Sequence, residues 1–395
     1  MLNLQEARAA PTSTGGALWN LGFRPFYLCA SAFAALSIAL WASEFAGWLP
    51  AGYVRSPIWH AHEMLFGFTL AVVAGFLFTA VRNWTGQPTP SGPLLMTLVA
   101  LWIAGRIAIV LPFHLAAALI NAAFPIAVAL AIAVPLARSD NRRNFFFVGL
   151  LFILGLAQLS VHGTFLGWVE WTAASALQIG IDVILFVISV MGGRVIPMFT
   201  NNGVPGTAAV RDPWIEQAAL GSTFLLLVCD LAQVPGPLRT AVLVVAALSH
   251  ARRWWLWQPL RTTGAPLVWV LHAAYVWIVV HLALRLLAEH ELIDESLAIH
   301  AFTMGAVGGM TIGMMTRTAR GHTGRPLRAD ASETAMFALV NLAALVRVAG
   351  GALVPEAIYV FTVALAGTCW AAAFGLYAVR YWPILTRARA DGKPG

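Results

Sequence analysis

Charge is scarce in this chain. Asp, Glu, Lys and Arg make up 10% of its 395 residues, against 59% hydrophobic residues and a mean hydropathy of +0.77. So few charges cannot cover a soluble domain of this length. Cysteine is scarce too. Cys29, Cys229 and Cys369 stand singly inside apolar stretches, and no CxxCH motif occurs. Covalent c-type haem is therefore not expected, and the three thiols read as small packing residues. The N-terminal MLNLQEARAAPTSTGG contains no apolar run, so no cleavable signal peptide is expected. Long polar connections are also missing, which excludes a sizeable soluble domain.

What the chain has instead is repeated apolar runs of about 18 to 25 residues, each able to cross roughly 30 Å of hydrocarbon. Twelve are read: 25–44, 60–81, 93–111, 113–135, 144–166, 170–196, 214–233, 237–257, 265–288, 297–317, 332–351 and 354–380. They predict an all-α polytopic membrane protein. Its parts are an N-terminal tail (1–24), one transmembrane domain (25–382) and a C-terminal tail (383–395). The formal charge of +7 follows the positive-inside rule and is not a nucleic-acid signal. Arg138, Arg142, Arg143, Arg194, Arg211, Arg252, Arg253, Arg261, Arg317, Arg320, Arg325, Arg328, Arg387, Arg389 and Lys393 fall on one side. Arg55 and Arg239, with the acids Glu44, Glu170, Glu289, Glu291, Asp294, Glu295 and Glu356, fall on the other. Both termini are therefore expected in the cytoplasm, with lipid as the surroundings.

An internal repeat adds detail. At a shift of 238 residues, HEMLFGFTLAVVAGFLFTAVRNWTGQP (62–88) lies on HAFTMGAVGGMTIGMMTRTARGHTGRP (300–326) without a gap. His62 falls on His300, Gly75 on Gly313, Arg82 on Arg320 and Gly86 on Gly324. A weaker match at 192–205 extends this to the second, sixth and tenth helices, suggesting three four-helix units about a pseudo-threefold axis.

Ionisable groups inside a bilayer are functional candidates. Counting depth from the expected topology puts His60, His62, His114, His162, His281 and His300 in one periplasmic layer. Imidazole is a common metal ligand and an axial ligand to b-type haem. Gly67, Ala71 and Gly75, with Gly305, Gly308, Gly309 and Gly313, strip side chains from the helices of His62 and His300. A porphyrin face is expected against them; helix packing through small residues is the competing use. His60 and His62 lie about 200° apart on a helix, so one centre cannot take both. Ser56-Pro57 reads as an N-cap and first helical residue. Glu63, three residues from His60, is expected to share its face and to orient an imidazole or carry protons, with a charge role near the helix start as the alternative. Arg106, Arg285 and Arg347 are candidates for haem propionates, with snorkelling to the interface as the alternative. Asp182, near mid-depth, is a candidate proton relay. Met191, Met198, Met304, Met310, Met314 and Met315 are Cu(I)-compatible thioethers, or core filling.

The motifs WNLGFRPFYL (19–28), WHAHEMLFGF (59–68), GFLFTAVRNWTG (75–86), GGRVIPMFTNN (192–202) and HAFTMGAVGGMTIGMMTRTARGHTGRPL (300–327) together resemble the NnrS family over most of the chain. The resemblance implies a bacterial inner-membrane protein containing haem and copper and linked to the nitric oxide response. It points to His60, His62 and His300, which lie in these motifs. A more distant likeness to the catalytic subunit of haem–copper oxidases implies twelve helices, pseudo-threefold symmetry and haem ligands on helices 2 and 10, matched by His62 and His300. The departure is that residues 163–249, where that subunit's copper ligands would begin, contain no histidine. His162 and His281, with His60 as a third ligand, are the substitutes expected for copper.

The expected function is binding of nitric oxide, or its reduction to nitrous oxide, and protection against nitrosative stress. Glu63 and Asp182 would supply protons, and the electron donor is not identifiable. A twelve-helix secondary transporter, or a copper or haem exporter, is the alternative.

Overall fold

The computed structural model describes residues 16–45, 48–49, 53–54, 56–234 and 236–393. Most of the expected N-terminal tail, and Arg55, lie outside the described residues. Among the described residues there is no strand.

Each expected apolar stretch holds a helix. In chain order these are α1 (Phe23–Phe45), α2 (Ile58–Thr85), α3 (Gly92–Ala108), α4 (His114–Ala137), α5 (Phe146–Leu166), α6 (Ala173–Gly203), α7 (Pro213–Leu231), α8 (Pro237–Leu256), α9 (Pro266–Glu289), α10 (Glu295–His322), α11 (Ala331–Leu353) and α12 (Glu356–Leu385). Among the described residues, ten of these helices are long and apolar enough to cross a membrane. The exceptions are α3, with 17 residues, and α8, whose 20 residues include Arg239, Arg252 and Arg253. The chain is a multi-pass membrane protein.

Several helices overrun the apolar runs. The α6 helix continues to Gly203 past Pro197, and α2 continues to Thr85. Hydropathy marks the hydrocarbon layer, whereas a helix ends only where its backbone is stopped. Gly86 stops α2 with φ +66°, a conformation that costs glycine little. Starts are set by caps. Asp212, Asp294 and Thr172 accept from the first-turn N–H groups of α7, α10 and α6. Asp330 and Glu333 make a reciprocal capping box on α11. The expected Ser56 cap is not made. Its hydroxyl accepts from the Trp41 indole N–H, and α2 begins at Ile58.

Sidedness follows the solvent. Leu248, Phe361 and Val379 are exposed on the outside, while Arg24, Asp182, Arg253 and Glu333 are buried within. Charge inside and hydrocarbon outside suit lipid surroundings. The most buried spans are α2, α6 and α10, at 83%, 78% and 72% of their apolar windows.

The α2 and α10 helices share an irregularity. Immediately after His62, α2 widens into a π-helix over Glu63–Thr69, and immediately after His300, α10 does the same over Ala301–Gly308. The two stretches begin 238 residues apart, the repeat shift of the sequence. The left-handed glycines Gly86 and Gly324 keep the same offset.

Candidate functional site

The N-terminal ends of α2 and α10 frame a cavity of ≈ 270 Å³. His60 and His300 both line it. Its walls are mainly apolar, with Trp41, Met64, Phe68, Met304 and Trp370 prominent. The His60 ring lies against the Trp41 ring, centroids 4.6 Å apart. His300 Nδ1 is 2.6 Å from the Ser296 carbonyl. Its Nδ1–H donates there, which leaves Nε2 as a bare lone pair, the state a metal ligand requires. Arg347 also lines the cavity, and its Nη1 is buried without an acceptor among the described residues.

His62 faces elsewhere. It is fully buried, and its Nδ1 donates to Glu63 Oε1 at 2.7 Å. Arg106 Nη1 reaches the same oxygen at 3.1 Å. On its other side the ring meets His162 of α5 edge to face, centroids 4.9 Å apart. Gln158 Nε2 stands 3.3 Å from His62 Nε2 and 3.2 Å from Asn121 Oδ1, which also pairs with Arg106. His162 Nδ1 is 2.5 Å from the Tyr53 hydroxyl, while its buried Nε2 has no partner among the described residues. Burial pushes the Tyr53 phenol up, as does the Glu63 charge. His114 stacks on Tyr53 at 4.1 Å.

This arrangement corrects several expectations. His62 and His300 do not face each other; His300 shares its cavity with His60, and His62 lies with His162. Glu63 sits with His62 and not with His60. The count that placed it on the His60 face assumed α-helical winding, and the helix changes to i→i+5 at Glu63 itself. The glycine surfaces are filled by protein. A Cβ on Gly309 would meet Ala274 at 2.9 Å, on Gly313 would meet Val270 at 2.8 Å, and on Gly75 would meet Phe26 at 3.0 Å. Gly305 is covered by Trp277, and Gly67 by Phe33 and Arg106. They are close-packing glycines, because side chains of α1, α3 and α9 occupy the bare faces.

Two of the three expected propionate partners are engaged elsewhere. Arg106 pairs with Glu63, and Arg285 Nη1 donates to Asp182 Oδ1 at 2.7 Å while its Nη2 pairs with Asp230. Only Arg347 of the three reaches the cavity. His162 and His281 are not brought together. His281 Nδ1 donates to the Ala298 carbonyl at 2.8 Å, its ring lies near Phe302, and its Nε2 is buried without a partner among the described residues. No group of three or more His, Cys, Asp or Glu side chains able to hold a metal occurs among the described residues. Met191, Met310 and Met314 line a smaller apolar cavity of ≈ 80 Å³.

Gln158, Asn121, Tyr53 and Asp230 complete these clusters and are not singled out by the sequence reading. Gln158 carries a usable signal: it precedes His162 by four residues in a helix without Asp, Glu, Lys or Arg, so the two share a face.

A family model described as NnrS protein matches residues 17–389, nearly the whole chain. No curated protein matches it.

Proposed function

Because the chain belongs to the NnrS family, we propose that it is a haem- and copper-binding protein of the bacterial inner membrane that binds nitric oxide and protects against nitrosative stress, with reduction to nitrous oxide as its catalytic form. The observation carrying the haem reading is the sharing of one cavity by His60 and His300. The donor chemistry fits a b-type haem. Two imidazoles reach the cavity from separate helices, one with its tautomer held by a backbone carbonyl. Apolar and aromatic walls suit a flat macrocycle, and Arg347 Nη1 offers a donor for a propionate. Bound there, haem iron would supply a site for nitric oxide and a path for an electron.

Copper is assigned to His62 and His162. Glu63 accepts the His62 Nδ1 proton and so directs the Nε2 lone pair away from the carboxylate. With its Nδ1–H directed at the Tyr53 oxygen, His162 would offer a bare Nε2, which is buried without a partner among the described residues. Two buried neutral imidazoles suit Cu(I) in a low-coordinate site. Arg106 keeps Glu63 charge-compensated, and Glu63 Oε2 has no partner among the described residues.

The reading includes twelve crossings with both termini in the cytoplasm. Arginine-rich connections on one side support this. The matched π stretches of α2 and α10, and the deep burial of α2, α6 and α10, support a pseudo-threefold arrangement of four-helix units.

The test is the visible spectrum and metal content of the purified protein, followed by anaerobic nitric oxide electrode measurements with an artificial electron donor. A Soret band that shifts on adding nitric oxide is expected, with copper retained through purification. A colourless protein overturns the haem assignment. Consumption no faster than that of a haem-free variant overturns the reductase form and leaves a nitric oxide binder.

A further inference from the structure

A buried chain of charge runs from the His60/His300 cavity to the end of α9. Gln178, which lines the cavity, donates to Asp182 Oδ1 at 3.0 Å. Arg285 donates to that same oxygen at 2.7 Å and pairs through Nη2 with Asp230. Arg239 continues the chain, with Nη1 3.4 Å from Asp230 Oδ1 and Nη2 2.6 Å from Glu289 Oε2. Asp182 is wholly buried, whereas the Arg239 side chain is 28% exposed. The chain therefore joins the interior to the surface.

Its charges do not balance. Three carboxyl groups, Asp182, Asp230 and Glu289, face two guanidinium groups, Arg285 and Arg239. Among the described residues no further Lys or Arg pairs with these carboxyl groups. His281, one turn before Arg285, donates Nδ1–H to a backbone carbonyl and has no acceptor for a second proton on Nε2 among the described residues. Cys229, beside Asp230, carries no positive charge in either of its forms. Asp182 Oδ2 is buried and has no hydrogen-bond partner among the described residues. The Asp182 and Asp230 carboxyl groups are bridged by one guanidinium, that of Arg285. One proton held by this pair removes the unpaired negative charge from the low-dielectric interior.

We propose that Asp182 and Asp230 share one exchangeable proton and form the proton donor for chemistry in the His60/His300 cavity, reloaded from the surface past Glu289. The proton leaves the pair for a base formed in the cavity, on the side where Gln178 meets both. The pair is then left as two carboxylates, and a proton entering beside Glu289 restores it. No electron moves in this step. The delivery role rests on the nitric oxide reading above; the shared proton does not.

Infrared spectra of the purified protein, in water and in deuterium oxide, test it. A protonated carboxyl C=O band that shifts on deuteration is expected in the wild type and should vanish in both Asp182→Asn and Asp230→Asn. No such band in the wild type, or its persistence in both variants, overturns the shared proton. In the same variants nitric oxide consumption should fall roughly a hundredfold with an unchanged haem spectrum. An unchanged rate in a variant that has lost the band overturns delivery. A wild type that consumes no nitric oxide ends the delivery role together with that reading, and the infrared band alone then decides the shared proton.

Discussion

His62 and His162 meet edge to face with ring centroids 4.9 Å apart, while His60, only two residues before His62, opens into a different space beside His300. One helix end thus serves two sites. The division gives a sharp expectation for single substitutions. His60→Ala or His300→Ala should abolish or alter the Soret band while copper content stays near that of the wild type. His62→Ala or His162→Ala should lower copper and leave the Soret band. Absorption spectra and metal analysis of the four purified variants decide this; a haem band lost only in His62→Ala would reverse the assignment.

Arg106 and Glu63 form a buried ion pair around His62. Removing one partner strands the other. Arg106→Met should cost about 3 kcal/mol of stability, seen as a lower thermal midpoint in detergent. Restoring neutrality with Arg106→Met/Glu63→Gln should recover part of the loss. A double variant no better than the single would show that Glu63 is not the stranded group.

Helix packing gives a third expectation. A Cβ on Gly309 would press on Ala274 of α9, whereas one on Gly221 of α7 would meet nothing within 4 Å. Gly309→Ala should therefore lower stability by about 1–3 kcal/mol. Gly221→Ala should be neutral or slightly stabilising, since alanine favours the helix. Thermal midpoints of the two variants, measured side by side, provide the check.

The α11 capping box predicts a pH dependence. Burial pushes the Asp330 carboxyl up, but the Glu333 backbone N–H and the charges of Arg380 and Arg320 outweigh it and hold the group below its ordinary range. A folded value below the unfolded one means that its stabilisation is complete above the usual carboxylate range and drains away as pH falls through the folded value. Asp330→Asn should keep the cap and flatten the acid limb of stability as pH falls below the usual carboxylate value of about 4. Asp330→Ala should cost about 1 kcal/mol at neutral pH. Thermal midpoints from neutral to acid pH are the measurement, and an unchanged acid limb in Asp330→Asn would count against the assignment.

The helices were legible because each apolar run is a direct record of the hydrocarbon it must cross. The repeat was legible because 62–88 and 300–326 match without a gap, and their common π stretches follow that register. The pairing of histidines was not. Alignment joins His62 to His300 as equivalents within two units, but equivalence says nothing about which residues face one cavity. The π winding that turns Glu63 toward His62 leaves no periodic signature in so short a stretch. Glycine faces on α2 and α10 revealed close approach without saying that Trp277 or Phe33 would fill them. Asp182 and Arg285 lie 103 residues apart, and only the packing of α6 on α9 reveals them as a pair.

The paired π stretches have a geometric consequence. Relative to α winding, each wide turn accommodates an additional residue, which rotates everything before it by about 100° relative to everything after it. The histidine-bearing tips of α2 and α10 are thereby decoupled in phase from their glycine-packed shafts. Such a dislocation lets an imidazole be re-aimed while the close-fitting stripe further along keeps its register, so ligand geometry and bundle assembly can be altered separately.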